Sequence, residues 1–168
     1  MRIVLIAAAA FAVAAPAFAQ DAAPFTGARL GATVGYDKVR GSDGVTYGGA
    51  FGYDYAIAPK ITLGAEATLE DSSTKFGGVH ASRDAAISAR IGYVLAPKIL
   101  AFAKVGYDTT RFETDGVGHT NLEGVRYGGG LEYAVTPKTY LSAEYRRTEY
   151  EGNFGGRDAG VVGVGYRF

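Results

Sequence analysis

The chain has no cysteine and no tryptophan, a formal net charge of zero, and only two histidines in 168 residues. Without cysteine there is no disulfide framework, although an oxidising compartment remains open to it. Balanced charge argues against a nucleic-acid partner, which would call for a basic face. Beyond the first residues, no apolar run approaches the ~20 residues a membrane-spanning helix requires. If the chain enters a membrane, it does so as strands.

What is abundant is glycine, 25 residues, and tyrosine, 12 residues. The first 19 residues stand apart from the rest. Arg2 precedes the apolar stretch Ile3–Ala15, and Ala17-Phe18-Ala19 precedes Gln20. A short apolar core followed by small residues is the pattern of a cleaved secretory signal peptide. Residues 1–19 are therefore expected to be removed, residues 20–24 to form a periplasmic lead-in, and residues 25–168 to form one domain. About 150 residues is one domain's worth of chain.

Three stretches of that domain repeat one pattern: Gly52–Glu66, Gly92–Lys104 and Leu131–Glu144. Each carries a tyrosine four residues before a Pro-Lys pair (Tyr55, Tyr93, Tyr133) and a charged residue seven after the proline (Glu66, Lys104, Glu144). In a strand, residues an even number apart share a face. Each unit thus reads as two strands joined at Pro-Lys, with apolar residues on one face and glycine or charge on the other. Proline suits the junction because its fixed φ and missing N–H cost nothing outside the hydrogen-bond ladder.

The same alternation yields eight segments: Thr26–Tyr36, Val45–Ile57, Ile61–Glu70, Ala85–Leu95, Ile99–Arg111, Gly124–Val135, Thr139–Glu149 and Arg157–Phe168. Between them, Pro-Lys turns alternate with longer polar connections at Asp37–Gly44, Asp71–Asp84, Phe112–Glu123 and Tyr150–Gly156. The predicted fold is all-β, an eight-stranded antiparallel up-and-down transmembrane β-barrel with short turns at one end and long loops at the other. Its lipid face carries rows such as Ile61-Leu63-Ala65-Ala67-Leu69 and Val162-Val164-Tyr166-Phe168. Tyr53, Tyr55, Tyr93, Tyr133, Tyr140 and Tyr166 are expected in an aromatic girdle at the turn end. Tyr36, Tyr47, Tyr107 and Tyr127 are expected in another at the loop end. A soluble barrel would reverse this polarity.

The inward face is small and charged. Arg29, Glu66, Arg90, Lys104, Arg126, Glu132, Glu144 and Arg146 are expected to form a lumen charge network, joined by Asp54, Glu70 and Asp108. An eight-stranded bore is only wide enough for side chains to fill. Unpaired ions there would cost several kcal/mol each. The expectation is a closed plug, with a narrow pore for water, ions or small solutes as the alternative.

The signal segment, the eight alternating strands, the Pro-Lys turns and the final Gly-Val-Gly-Tyr-Arg-Phe resemble the porin-like outer-membrane β-barrel family. That family includes the small OmpA-like and opacity-type surface proteins of Gram-negative bacteria. The resemblance implies the bacterial outer membrane, with periplasmic termini and extracellular loops. It implies an assembly signal at Tyr166 and Phe168 that is read by the barrel-assembly machinery. It does not imply an activity; the expected role is structural and at the cell surface, with the loops rather than the lumen meeting partners. Nothing after Phe168 would correspond to the peptidoglycan-binding domain of full OmpA-like proteins, so anchoring through such a domain is not expected. A monomer is expected.

Two further readings concern particular residues. His80-Ala81-Ser82 is similar to the His-x-Ser pair of outer-membrane lipid A deacylases, which makes a lipid A-modifying hydrolase a second alternative. Arg83 follows where an Asn normally stands, and no third group to orient the histidine can be identified. No catalytic residue, cofactor or metal site is assigned, and His119 reads as a solvated loop residue. Arg111 and Arg147 point outward near the loop end, where they are expected to contact lipopolysaccharide phosphates.

Overall fold

The computed structural model describes residues 23–39, 41–73, 75–76, 79–114, 118–151 and 155–168. The signal segment and most of the lead-in lie outside the described residues. Eight long strands follow in order: β1 (Gly27–Val39), β2 (Ser42–Ala58), β3 (Ile61–Ser72), β4 (Val79–Ala96), β5 (Ile99–Thr114), β6 (Gly118–Ala134), β7 (Thr139–Tyr150) and β8 (Gly156–Arg167). Each pairs antiparallel with the next, and β1 pairs with β8 from Arg29↔Arg167 to Val39↔Arg157, which closes the ring. The all-β, eight-stranded up-and-down barrel read from the alternation is the observed fold.

The apolar rows face outward. Leu63, Ile91 and Val164 are 49%, 50% and 50% exposed, while Glu66 and Arg126 on the opposite face are 5% and 6% exposed. No packed apolar centre of a water-soluble kind could leave such residues uncovered; this is a wall built for acyl chains.

The Pro-Lys junctions are turns, as expected, but of two kinds. Pro59-Lys60 and Pro97-Lys98 each link their strands directly, and each has a bulge in the strand before it, between Ala56 and Ala58 and between Val94 and Ala96. Proline fixes φ near −65°, which excludes the positive-φ turns that match strand twist. A bulge restores twist by adding one residue. In the third repeat Thr136 replaces alanine. Its hydroxyl accepts the N–H groups of Lys138 (3.2 Å) and Thr139 (2.9 Å), and the turn widens to Val135–Lys138.

The long loops expected at the other end are largely strand. β1 runs on to Val39 and β2 starts at Ser42, so most of Asp37–Gly44 is ladder, with Gly41 at φ +87° in the turn. β3 continues to Ser72, β4 begins at Val79, and Lys75–Phe76 pairs with the start of β4. β5 and β6 extend to Thr114 and from Gly118. After β7, which ends at Tyr150, β8 begins at Gly156, so the two strands stop close to the bounds expected for that connection. Apolar alternation stops where the lipid stops, but the hydrogen-bond ladder needs no lipid to continue. Pattern reading therefore ended the strands too early.

Candidate functional site: the charged lumen

All eleven predicted inward charges line the bore, and they form two lattices stacked along its axis. The lattice nearer the turns centres on Asp54. Its Oδ2 accepts from Arg29 Nε (2.8 Å), Arg90 Nη1 (2.7 Å) and Arg167 Nη1 (3.1 Å). Glu132 bridges Arg90 (2.7 Å) and Arg167 (2.5 Å). Arg29 also reaches Glu66 (2.6 Å), which pairs with Lys104 (2.5 Å), which pairs in turn with Glu144 (2.6 Å). Four cations meet four carboxylates in one connected chain.

Nearer the loops, Glu70 accepts from Arg146 and from the Thr33 hydroxyl (3.0 Å). Arg126 pairs with Asp108 and with Asp84 (2.6 Å). Asp84 is shared with Arg157 (2.7 Å), whose Nε donates to Asp37 (2.8 Å). Thr110 donates to Asp108 (2.8 Å) and meets the Tyr150 hydroxyl at 3.0 Å. All of these acids and bases are buried apart from Lys104 and Glu144, which are partly buried. Buried charge is tolerated only when paired and hydrogen-bonded, and shared acceptors such as Asp54 and Asp84 supply that pairing several times over.

Glycine makes the room. Gly52 stands opposite Arg29, and a Cβ there would lie 2.8 Å from the guanidinium. The Tyr140 ring lies directly over Gly165, where any Cβ would collide with it. Tyr140 therefore belongs to the lumen, not to the turn-end girdle expected for it. It is an even number of residues from Glu144, and their shared face settles its direction. Between the lattices remains a cavity of about 30 Å³, lined by Gly31, Thr68, Lys104, Glu144 and Arg146 among others. A cavity of that size holds one or two waters.

The bore is not charged throughout, as the alternation implied. At the turn end Phe25, Val94, Leu100, Phe102 and Ala134 form an apolar stopper, with Phe25 and Leu100 fully buried. Phe25 enters on a short 3-10 turn, Ala23–Phe25, so the residues around Phe25 close the barrel rather than merely lead into it. The Arg90 guanidinium lies 4.3 Å from the Phe102 ring centroid, joining stopper to lattice by a cation–π contact.

Sequence reasoning missed four charged members: Asp37, Asp84, Arg157 and Arg167. Arg157 and Arg167 were legible from parity, being an odd number of residues from the outward Val162, Val164 and Tyr166. Asp37 and Asp84 fell in segments read as loops.

On the outer wall two tyrosines pair with carboxylates: Tyr107, of the expected loop-end girdle, with Glu123 (2.8 Å), and Tyr145 with Asp158 (2.6 Å). Arg147 does face outward, but its guanidinium is engaged by Glu149 (2.5 Å) and Asp158 (3.1 Å), so a phosphate would compete with two carboxylates. The side chains of Arg111, His80, Ser82 and His119 lie outside the described residues. Among the described residues, no group of His, Cys, Asp and Glu has the arrangement of a metal site.

Comparison with known proteins agrees with this architecture. Residues 5–168 match the family described as outer membrane protein beta-barrel domain. The chain is 28% identical over 191 residues to outer membrane protein A of Escherichia coli O157:H7, covering 98% of this chain and 53% of that protein. It thus spans about half the length of the curated relatives it matches. Among solved structures it is similar to Ail, the attachment invasion locus protein of Yersinia pestis, with a TM-score of 0.61 at 15% identity over 85% of this chain and 97% of that one. It is also similar to Neisserial surface protein A, with a TM-score of 0.58 at 16% identity over 84% and 96% of the two chains. At those identities the likeness speaks for the fold alone. With its strand order, outward apolar rows and family match in agreement, the chain belongs to the outer membrane protein β-barrel domain family.

Proposed function

We propose that this protein is a non-enzymatic structural barrel of the bacterial outer membrane, with a lumen closed to solutes and loop-end hairpins that make contacts at the cell surface. The observation that carries the reading is the pair of ion lattices, backed by the Phe25 stopper, with a cavity of about 30 Å³ between them. Conduction would require several buried pairs to part at once, each costing ~3–5 kcal/mol when one partner is removed. The Pro-Lys turns and both ends of the chain face the periplasm, and the hairpins that outrun the apolar rows face outward. Phe168, 72% exposed and edge-on to Tyr166 at 5.1 Å, supports its role as the strand signal for assembly. The barrel functions as a monomer.

Recording from planar bilayers tests the closed lumen. The parent protein should give no unitary steps. Steps that vanish on altering Arg90 or Arg126 would establish a narrow pore instead. Because the chain lacks cysteine, orientation is tested by single introduced thiols. Glu151→Cys should react with an impermeant maleimide on intact cells, and Lys98→Cys only after the outer membrane is opened.

A further inference from the structure

Exposed charge is distributed unevenly along the barrel axis. At the turn end, among the described residues, the exposed charged side chains are Lys60, Lys98 and Lys138, one from each Pro-Lys turn, with no exposed carboxylate side chain beside them. Among the described residues the loop end is the reverse, with acidic side chains such as Glu123, Glu149 and Asp158 outnumbering the bases. A rim of three like-charged lysines is held at the interface by the turn repeat itself.

One of these lysines, Lys138, lies turn-ward of a depression in the lipid-facing wall, beyond Tyr166. The depression, 640 Å³, crosses β6, β7, β8 and β1 and is lined by Leu131, Tyr133, Leu141, Ala143 and Val164 among others. Ala143 lies between Leu131 and Val162 on the neighbouring strands, so the wall dips there. Toward the turns the next outward residue of β8 is Tyr166, and the Lys138 ammonium lies 5.8 Å from its ring centroid. The size is that of a small-molecule cleft, ~300–1,000 Å³. Its walls are apolar, and the Lys138 ammonium lies beyond it on the turn-ward side, across the Tyr166 ring.

We infer that this depression is a retention site for one anionic glycerophospholipid, with an acyl chain along Leu131, Ala143 and Val164 and the head-group phosphate at Lys138. An ammonium on a short turn meets a phosphate as a point charge, and an anionic head group adds net charge that a zwitterionic one lacks. The aromatic rings of Tyr133 and Tyr166 flank the level where glycerol would lie, the depth that amphipathic rings favour. The inference rests on the membrane-embedded barrel but not on its orientation or on the closure of its lumen.

Native mass spectrometry of the whole chain tests it, using micelles that contain equal amounts of phosphatidylglycerol and phosphatidylethanolamine with identical acyl chains. Micelles have no sidedness, so a failure here is separable from a failure of the topology or conductance experiments. The parent should retain phosphatidylglycerol over phosphatidylethanolamine by about five-fold, the ratio expected for one lysine near an anionic surface. Lys138→Gln should bring the two lipids near parity, and Ala143→Phe, which fills the depression, should lose both. Unheated gel mobility confirms that each variant is folded. Equal retention by the parent, or a preference that survives Lys138→Gln, overturns the site. A doubled protein mass in place of lipid adducts overturns it too, by assigning the depression to a second copy.

Discussion

Arg167 Nη1 donates to the main-chain carbonyl of Phe25 at 2.8 Å, tying the segment before β1 to the end of β8 from inside the bore. The same nitrogen reaches Asp54, so one guanidinium joins the stopper to the ion lattice. Phe25→Ala should therefore lower stability by ~3–5 kcal/mol, the usual cost of emptying a buried aromatic site. Urea titration in lipid vesicles, read by gel mobility, measures the change. An unshifted midpoint would mean that Phe25 is not seated in the bore.

Asp54 accepts from three guanidiniums, whereas Glu144 meets one cation among the described residues, Lys104. Asp54→Ala leaves three buried cations short of an acceptor and should cost ~3–5 kcal/mol. Glu144→Gln should cost less, because Lys104 keeps Glu66. The two midpoints should differ in that order under the same titration.

The stacking of Tyr140 over Gly165 predicts a strong coupling. Gly165→Ala should destabilise by ~1–3 kcal/mol through overpacking. Tyr140→Ala should remove much of that penalty in the double variant, and the cycle should be visibly non-additive. Additive losses would mean that the ring does not occupy that space.

Ala65 faces lipid at the centre of the outward row Ile61–Leu69 of β3, between Gly64 and the lumen-facing Glu66. Ala65→Arg should cost ~2–4 kcal/mol, the midplane penalty of a lipid-facing barrel. The exposed turn position Lys60→Arg should be neutral. If both proved neutral, the outward direction of the apolar rows would be in doubt.

The alternation made the wall legible because lipid imposes it on every strand: the outward direction of Leu63, Ile91 and Val164 could be read without coordinates, and so could the inward direction of Glu66 and Lys104. Three things were hidden for physical reasons. Strand length beyond the membrane leaves no hydropathy signal, which concealed Asp37 and Asp84. The stopper depends on a chain end folding back, which no period predicts for Phe25. Tyr140 was misplaced because aromatic clustering by strand end was weighed above its parity with Glu144. Which acid meets which base is set by distances across the bore, and linear order does not contain them.

The lattice around Asp54 draws its members from β1, β2, β4, β6 and β8, so no two adjacent strands can assemble it alone. A half-wound ribbon would have to turn naked guanidiniums toward hydrocarbon until the first and last strands met. The ions therefore act as a latch on the seam: insertion gains their attraction all at once, and reopening that seam must forfeit it all at once.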